Sequence, residues 1–210
     1  MTARGDAIAA AGADARAALE STHEARELTL STSRAAIRSC AVAIRAVHRH
    51  EFDAARARIA DAATELARAS DATTDHPHVR YAGFLEDAQK EFVEANLTLA
   101  FIQDGPMPTV GDLDVTTPAY LNGMAEAASE LRRQVLDRLR ADEPERAEEL
   151  FAVMDEVYAM LVTIDYPEAI TGGLRRSTDA LRAVLERTRG DVTNALVAAR
   201  FREAVERTAG

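Results

Sequence analysis

The fold class is decided by residues 78–103, which read HVRYAGFLEDAQKEFVEANLTLAFIQ. Apolar side chains recur every three or four positions along this segment, at Phe84, Ala88, Phe92, Ala95, Leu99 and Ile102. This spacing places them on one face of an α-helix. The alternating β-branched runs between turn signals that a sheet requires are missing from the sequence. We therefore predict an all-α protein.

The sequence on either side predicts a single seven-helix bundle that forms one domain over residues 1–210, with residues 1–12 as a flexible N-terminus. The expected helices cover residues 13–49, 51–70, 78–103, 118–140, 142–164, 174–189 and 192–208. Pro118 suits the first turn of a helix, where a missing N–H has no cost. The Gly172–Gly173 pair and Gly190 are expected to end helices, and Asp191 to cap the last one.

Composition and charge limit the function classes. The chain has 25 Lys and Arg residues against 35 Asp and Glu residues, for a net charge of −10. A general electrostatic affinity for nucleic acid is excluded, so any phosphate binding must come from a local basic patch. Cys40, the single cysteine, shares a helical face with Ile37 and Ile44 and is predicted to be a small buried hydrophobe. No signal peptide or membrane span is recognisable, which favours a cytoplasmic protein with no membrane partner.

Four segments, in order, carry a resemblance to a known family. They are SRAAIRSCAVAIRAVHRHEFDAARARI (33–59), YAGFLEDAQKEFVEA (81–95), YLNGMAEAASELRRQVL (120–136) and DYPEAITGGLRRSTDALRAVLERTRGDVTNAL (165–196). Together they resemble the translin family, which includes translin, translin-associated factor X and archaeal homologues. The resemblance implies a seven-helix protomer that assembles into a hollow homo-octamer and binds single-stranded RNA or DNA.

The resemblance also implies a set of acidic residues. In the branch of translin-associated factor X, acidic side chains bind Mg2+ and cut RNA, whereas translin lacks them and mainly binds. The matching positions here are Glu91, Glu94, Glu126 and Glu130, although the family often has Asp at the position of Glu126. We therefore expect a Mg2+-dependent (or Mn2+-dependent) endoribonuclease acting on single-stranded RNA. The alternatives are a non-catalytic translin-like protein that binds single-stranded RNA or DNA, and a purely structural bundle that has kept the fold.

The spacing of these acids agrees with a metal site on physical grounds. Residues three or four apart share a helix face, and Mg2+ prefers oxygen ligands such as carboxylates. Acid pairs at this spacing are also common in a chain with 35 acids, and most are simply solvated. Glu126 and Glu130 fall opposite the apolar stripe of their helix, which predicts surface carboxylates. Asp87 is an additional candidate ligand.

A basic stripe is predicted on the first helix, at Arg34, Arg38, Arg45 and Arg49. The four positions fall within about 60° on a helical wheel and span about 22 Å. Guanidinium groups in such a row can bind successive phosphates, and His48 lies near enough to join them. The alternative is that these arginines pair with acids of neighbouring helices. Weaker candidates for phosphate binding are Arg132, Arg133, Arg175 and Arg176.

Overall fold

The computed structural model describes residues 2–209, leaving aside the side chains of residues 203 and 209. It is 85% helical and has no strand within those residues, which confirms the all-α class. The helices are α1 (Ala3–His48), α2 (Phe52–Ala72), α3 (Pro77–Arg80), α4 (Phe84–Gln103), α5 (Val110–Leu113), α6 (Thr117–Arg140), α7 (Pro144–Leu161), α8 (Glu168–Thr171) and α9 (Leu174–Ala209). Three of them, α3, α5 and α8, are single turns of four residues.

The prediction of seven helices was wrong, because nine form within residues 2–209. Besides the three single turns, the two helices predicted around Gly190 form one continuous α9. Leu185, five residues before the glycine, and Val192, two residues after it, are both buried. Arg132 of α6 also binds Asp191 (2.8 Å), which was expected to act as a cap. This packing outweighs the roughly 1 kcal/mol that a glycine costs inside a helix.

The first helix also begins earlier than expected. It starts at Ala3, where the Thr2 hydroxyl accepts a hydrogen bond from the N–H of Gly5 (3.3 Å). Met1 lies outside the described residues, and the flexibility of residues 1–12 stays a prediction.

Two predicted helix boundaries, at Gly172–Gly173 and at Pro118, lie where the sequence placed them. Gly172 and Gly173 have φ values of 58° and 89°, the left-handed conformation that ends α8 before α9 begins. Pro118 lies in the first turn of α6, where the Thr116 hydroxyl accepts from the N–H of Ala119 (3.3 Å). The Tyr120 hydroxyl donates to the carbonyl of Pro108 (2.8 Å) and ties the connection before α6 to that helix.

The centre of the bundle is α6, which packs against α4, α7 and α9, while α1 packs against α2 and α4. The closest approach of α4 and α6 is at Gly123. A Cβ atom there would lie 2.5 Å from the carbonyl oxygen of Lys90 and 2.7 Å from Cβ of Val93. The missing side chain therefore lets the two helices approach closely beside the predicted acids. Within residues 2–209, no helix is long and apolar enough to cross a membrane.

Candidate metal centre

Acids from two helices meet in this structure. Glu91 and Glu94 are neighbours on α4, and Glu126 lies opposite them on α6. Each offers a carboxylate oxygen, and the three oxygens lie within 4.8 Å of one another. The close contact at Gly123 sets the separation of the helices and therefore of the carboxylates. We call these three residues the carboxylate cluster.

Glu94 is the most buried member of the carboxylate cluster, with only 8% of its surface exposed. Its side chain makes no hydrogen bond or ion pair with any other described residue. Burial, followed by the negative charges of Glu91, Glu126 and Glu130, raises the pKa of Glu94 to about 8. Burial also raises the pKa of Glu91, against the opposing effect of Lys90. The cluster thus contains more negative charge than its own surroundings neutralise.

One cation lies inside this site. The Nζ atom of Lys90 is 2.8 Å from Oε1 of Glu126 and 3.6 Å from Oε1 of Glu91. Burial by itself would lower the pKa of Lys90, but the hydrogen bond to Glu126 and the nearby carboxylates raise it overall. Lys90 is therefore a charged ammonium that offsets one of the negative charges.

Glu130, the fourth predicted acid, lies beside the carboxylate cluster and binds a histidine. The amide of Gln134 donates to Nδ1 of His48 (3.3 Å), which leaves Nε2 of His48 to donate to Glu130 (2.6 Å). The His48 side chain is buried at the end of α1, whereas the guanidinium groups that it was expected to join are exposed. Its contact instead fixes the position of the Glu130 carboxylate.

The expected exposure of the α6 acids needs correction. The side chains of Glu126 and Glu130 are 36% and 38% exposed, so they are partly enclosed rather than free on the surface. The reason is that α6 packs against three helices, α4, α7 and α9. Asp87 is exposed and outside the carboxylate cluster, although its charge contributes to the raised pKa of Glu91.

The predicted basic stripe is exposed along α1. Arg34, Arg38 and Arg45 have no ion pair with any described residue. Arg49 pairs with Glu51 on the surface (2.7 Å). By helical geometry the stripe is centred about 150° around α1 from Cys40. Cys40 is buried and close enough to Glu91 and Glu94 for their charges to help raise its pKa. The buried location predicted for Cys40 is thus confirmed.

Sequence reasoning missed two features of the site. Lys90 is the only lysine of the chain, and its position directly before Glu91 was the available signal for its contact with the acids. A cavity of about 420 Å³ beside the carboxylate cluster had no signal, because its lining comes from α4, α6, the α8–α9 turn and α9. Arg176, ranked low from sequence, lines this cavity.

The carboxylate cluster fits a divalent cation by its chemistry. Two oxygens bound to one Mg2+ at about 2.1 Å lie at most about 4.2 Å apart. Small side-chain rotations would bring oxygens that are within 4.8 Å of one another onto one ion. The buried Glu94 carboxylate, which has no hydrogen-bond donor, is the group that gains most from such an ion.

The fold and the site define a class: an all-α protein in which carboxylates of two packed helices form a candidate divalent-metal site. No family model matches the chain. The chain is 31% identical to an uncharacterised protein of Methanocaldococcus jannaschii. The match covers 87% of this chain and 81% of that protein.

Solved structures identify the fold. The chain resembles AfC3PO of Archaeoglobus, solved by itself and in a complex with duplex RNA, with 31% identity and a TM-score of 0.81. That match covers 88% of this chain and 96% of AfC3PO. The fold also resembles apo-NeC3PO of Nematostella, with 17% identity, a TM-score of 0.77, and coverage of 93% and 98%. The chain therefore belongs to the translin family.

Proposed function

We propose that this protein is a Mg2+-dependent (or Mn2+-dependent) endoribonuclease. The observation that carries the proposal is the meeting of Glu91, Glu94 and Glu126, from two helices, within 4.8 Å of one another. The burial of Glu94 supports it, because a buried carboxylate near two others is unfavourable without a cation.

RNA as the substrate is supported by the similarity to AfC3PO, which was solved in a complex with duplex RNA. We propose single-stranded RNA as the substrate of this chain, because the motif resemblance points to single strands. A comparison of single-stranded and duplex RNA of one sequence distinguishes the two.

The residues divide the chemistry between them. Glu91, Glu94 and Glu126 would hold the ion, and Glu130, fixed by His48, would accept a hydrogen bond from a water beside it. A bound divalent ion supplies a Lewis acid for the phosphate and lowers the pKa of a bound water. Glu130 would orient a water towards the phosphorus, and the burial of Glu94 excludes bulk solvent from one side of the site.

Binding of a longer strand requires cations away from the carboxylate cluster. The exposed arginines of α1, three of which have no ion pair with a described residue, suit the phosphates of such a strand. We propose Arg34, Arg38, Arg45 and Arg49 for this role.

Assembly into a homo-octamer is part of the proposal. Val197, Phe201 and Val205 are spaced four residues apart on α9 and are 60%, 71% and 48% exposed. An exposed apolar row at this spacing forms one continuous strip, which favours contact with another protein surface. A second copy of the chain is the partner that the family resemblance implies.

The decisive experiment incubates labelled single-stranded RNA with Mg2+ or with EDTA. The wild type is expected to cut RNA only with Mg2+, and Glu94→Gln and Glu91→Gln to lose at least about a hundredfold in rate, as expected when a metal ligand is removed. Glu148→Gln, the same change at an exposed position of α7, serves as the matched control. Binding without cutting by the wild type would make the protein a non-catalytic RNA binder, and retained cutting by Glu94→Gln would refute the metal site.

A further inference from the structure

A cavity of about 420 Å³ opens directly beside the carboxylate cluster. Its lining includes Glu126 of the cluster together with Lys90, Ser129, Arg176 and Ser177. The cavity and the candidate metal site therefore share a wall, and its volume lies within the range of pockets that bind small ligands. A nucleic-acid strand that passes over the metal site can place its next nucleotide in this cavity.

The cations of the cavity are placed differently from those of the basic stripe. Lys90 lies between the cavity and the carboxylate cluster, in contact with Glu126 (2.8 Å). Its own side chain is only 27% exposed. Arg176 lies on the opposite side of the cavity, is exposed, and has no ion pair or hydrogen bond with another described residue through its side chain. None of the four stripe arginines lines this cavity.

The balance of charge no longer opposes an anion once the site holds a divalent ion. Asp87 and Glu126 are the acids that line the cavity, and Lys90 and Arg176 are its cations. These four charges cancel. Two further acids of the cluster, Glu91 and Glu94, lie beside the cavity. A divalent ion would offset their two charges and offer the phosphate a cation at the shared wall.

We propose that this cavity binds the phosphodiester next to the one that is cut, with Lys90 and Arg176 as its ligands. The proposal rests on the proposed function for the identity of the strand. Serine hydroxyl groups at Ser129 and Ser177 lie in the same wall. The ammonium of Lys90, on a flexible four-carbon chain, turns from Glu126 towards the phosphate.

Arg176 gives the cleaner test because no described residue depends on its side chain. Arg176→Ala is expected to raise KM for RNA about fivefold with little change in kcat, as for one exposed charge-assisted contact. It should also reduce the slope of log affinity against log salt by about 0.7, the value for one phosphate of a single strand. The affinity for Mn2+ should stay unchanged, since Arg176 is not a member of the carboxylate cluster.

Arg175→Ala is the matched control. Arg175 is adjacent in sequence and equally exposed, but it lines a different cavity, between α7 and α9. Equal losses in the two variants would mean that general positive charge, and not this cavity, attracts the strand, and the proposal would be overturned.

Lys90→Met provides a second and independent readout. Removal of the ammonium beside Glu126 and Glu91 should strengthen Mn2+ binding several-fold, because a repulsive charge is lost, while RNA binding becomes weaker. These opposite signs separate a phosphate ligand from a residue that only supports the fold. Weaker binding of both Mn2+ and RNA would overturn the role of Lys90.

The outcome is independent of whether the protein cuts RNA. RNA affinity and its salt slope are measured by fluorescence anisotropy with Ca2+, which also binds carboxylate oxygens, in place of Mg2+, and a gel checks that the RNA stays uncut. A wild type that binds RNA without ever cutting it refutes the nuclease function, yet the comparison of Arg176→Ala with Arg175→Ala still decides the cavity. A wild type that binds no RNA overturns both proposals.

Discussion

A carboxyl group that is nine-tenths buried is stable in its ionised form only when a cation or several hydrogen-bond donors compensate its charge. Glu94 has no hydrogen-bond donor among the described residues, and Lys90 is the only cation that lowers its pKa. The contacts of Lys90 are with Glu126 and Glu91. The folded protein therefore holds a proton on Glu94 that the unfolded chain releases.

The stability of the metal-free protein should accordingly depend on pH. The pKa of Glu94 rises from 4.5 in the unfolded chain to about 8 in the fold. The folded state binds more protons between these values, so the free energy of unfolding falls as pH rises from about 5 to 8. Denaturant unfolding in EDTA, compared between wild type and Glu94→Gln, measures this. The stability of the variant should increase relative to that of the wild type as pH rises. A difference in the free energy of unfolding that stays constant with pH would contradict the prediction.

Cys40 reports on the same region from the side of α1. Burial, followed by the charges of Glu91 and Glu94, raises the pKa of the Cys40 thiol to about 12. Since the thiolate is the reactive form, we expect almost no reaction with a thiol reagent at pH 8 in the folded protein. Full reaction should occur in denaturant. Rapid labelling without denaturant would show that the α1–α4 contact opens easily.

At the scale of the elements, the site depends on the distance between α4 and α6. Gly123 is the point of contact, and the nearest atom to a new Cβ is the backbone carbonyl of Lys90 at 2.5 Å. A backbone atom cannot rotate away as a side chain can, so α4 itself must shift. Lys90, Glu91 and Glu94 all lie on the part of α4 that would shift.

We therefore expect Gly123→Ala to lower the free energy of unfolding by about 1–3 kcal/mol, the usual range for overpacking. It should also weaken Mn2+ binding, because the carboxylates of the two helices separate. Thermal unfolding and Mn2+ titration measure the two effects.

Gly190→Ala provides the matched control in α9. A Cβ atom at Gly190 meets nothing within 4 Å, so the change should raise stability by about 0.5–1 kcal/mol. Equal effects of the two substitutions would mean that the α4–α6 contact does not limit the site.

At the scale of the whole molecule, the basic stripe that we propose for strand binding is separate from the acidic site. The chain has a net charge of −10, so contacts with RNA must be local. Arg38→Ala combined with Arg45→Ala should weaken RNA binding and reduce the salt slope by about 1.4, or about 0.7 for each phosphate lost. Arg4→Ala with Arg16→Ala, exposed positions of the same helix, is the control. An unchanged slope would remove the stripe from the binding surface.

Assembly is the second property at this scale. Eight copies of the 22.7 kDa chain correspond to about 180 kDa. We expect light scattering to give this mass for the wild type and a smaller one for Phe201→Glu, because a charge then interrupts the apolar strip of α9. Met107→Glu, at an exposed position before α5, should leave the mass unchanged. A wild-type mass near that of one chain would contradict the octamer.

Local sequence was sufficient for the helices whose apolar spacing and end signals agree. The stripe through Phe84, Ala88 and Phe92 predicted α4, and the Gly172–Gly173 pair predicted the break before α9, because helical periodicity and positive φ are properties of a few adjacent residues. Gly190 was misjudged, since its local preference was overruled by the burial of Leu185 and Val192.

By itself, the sequence determined that the protein is helical and which arginines share a face, because both follow from spacing along one helix, and the motif resemblance indicated the candidate acids. Only the tertiary structure decided that Glu126 joins Glu91 and Glu94, that His48 holds Glu130, and that Lys90 and Arg176 line one cavity. Such contacts depend on how far apart and at what rotation two helices pack. That geometry is set by distant residues such as Gly123, which no pattern within α4 contains.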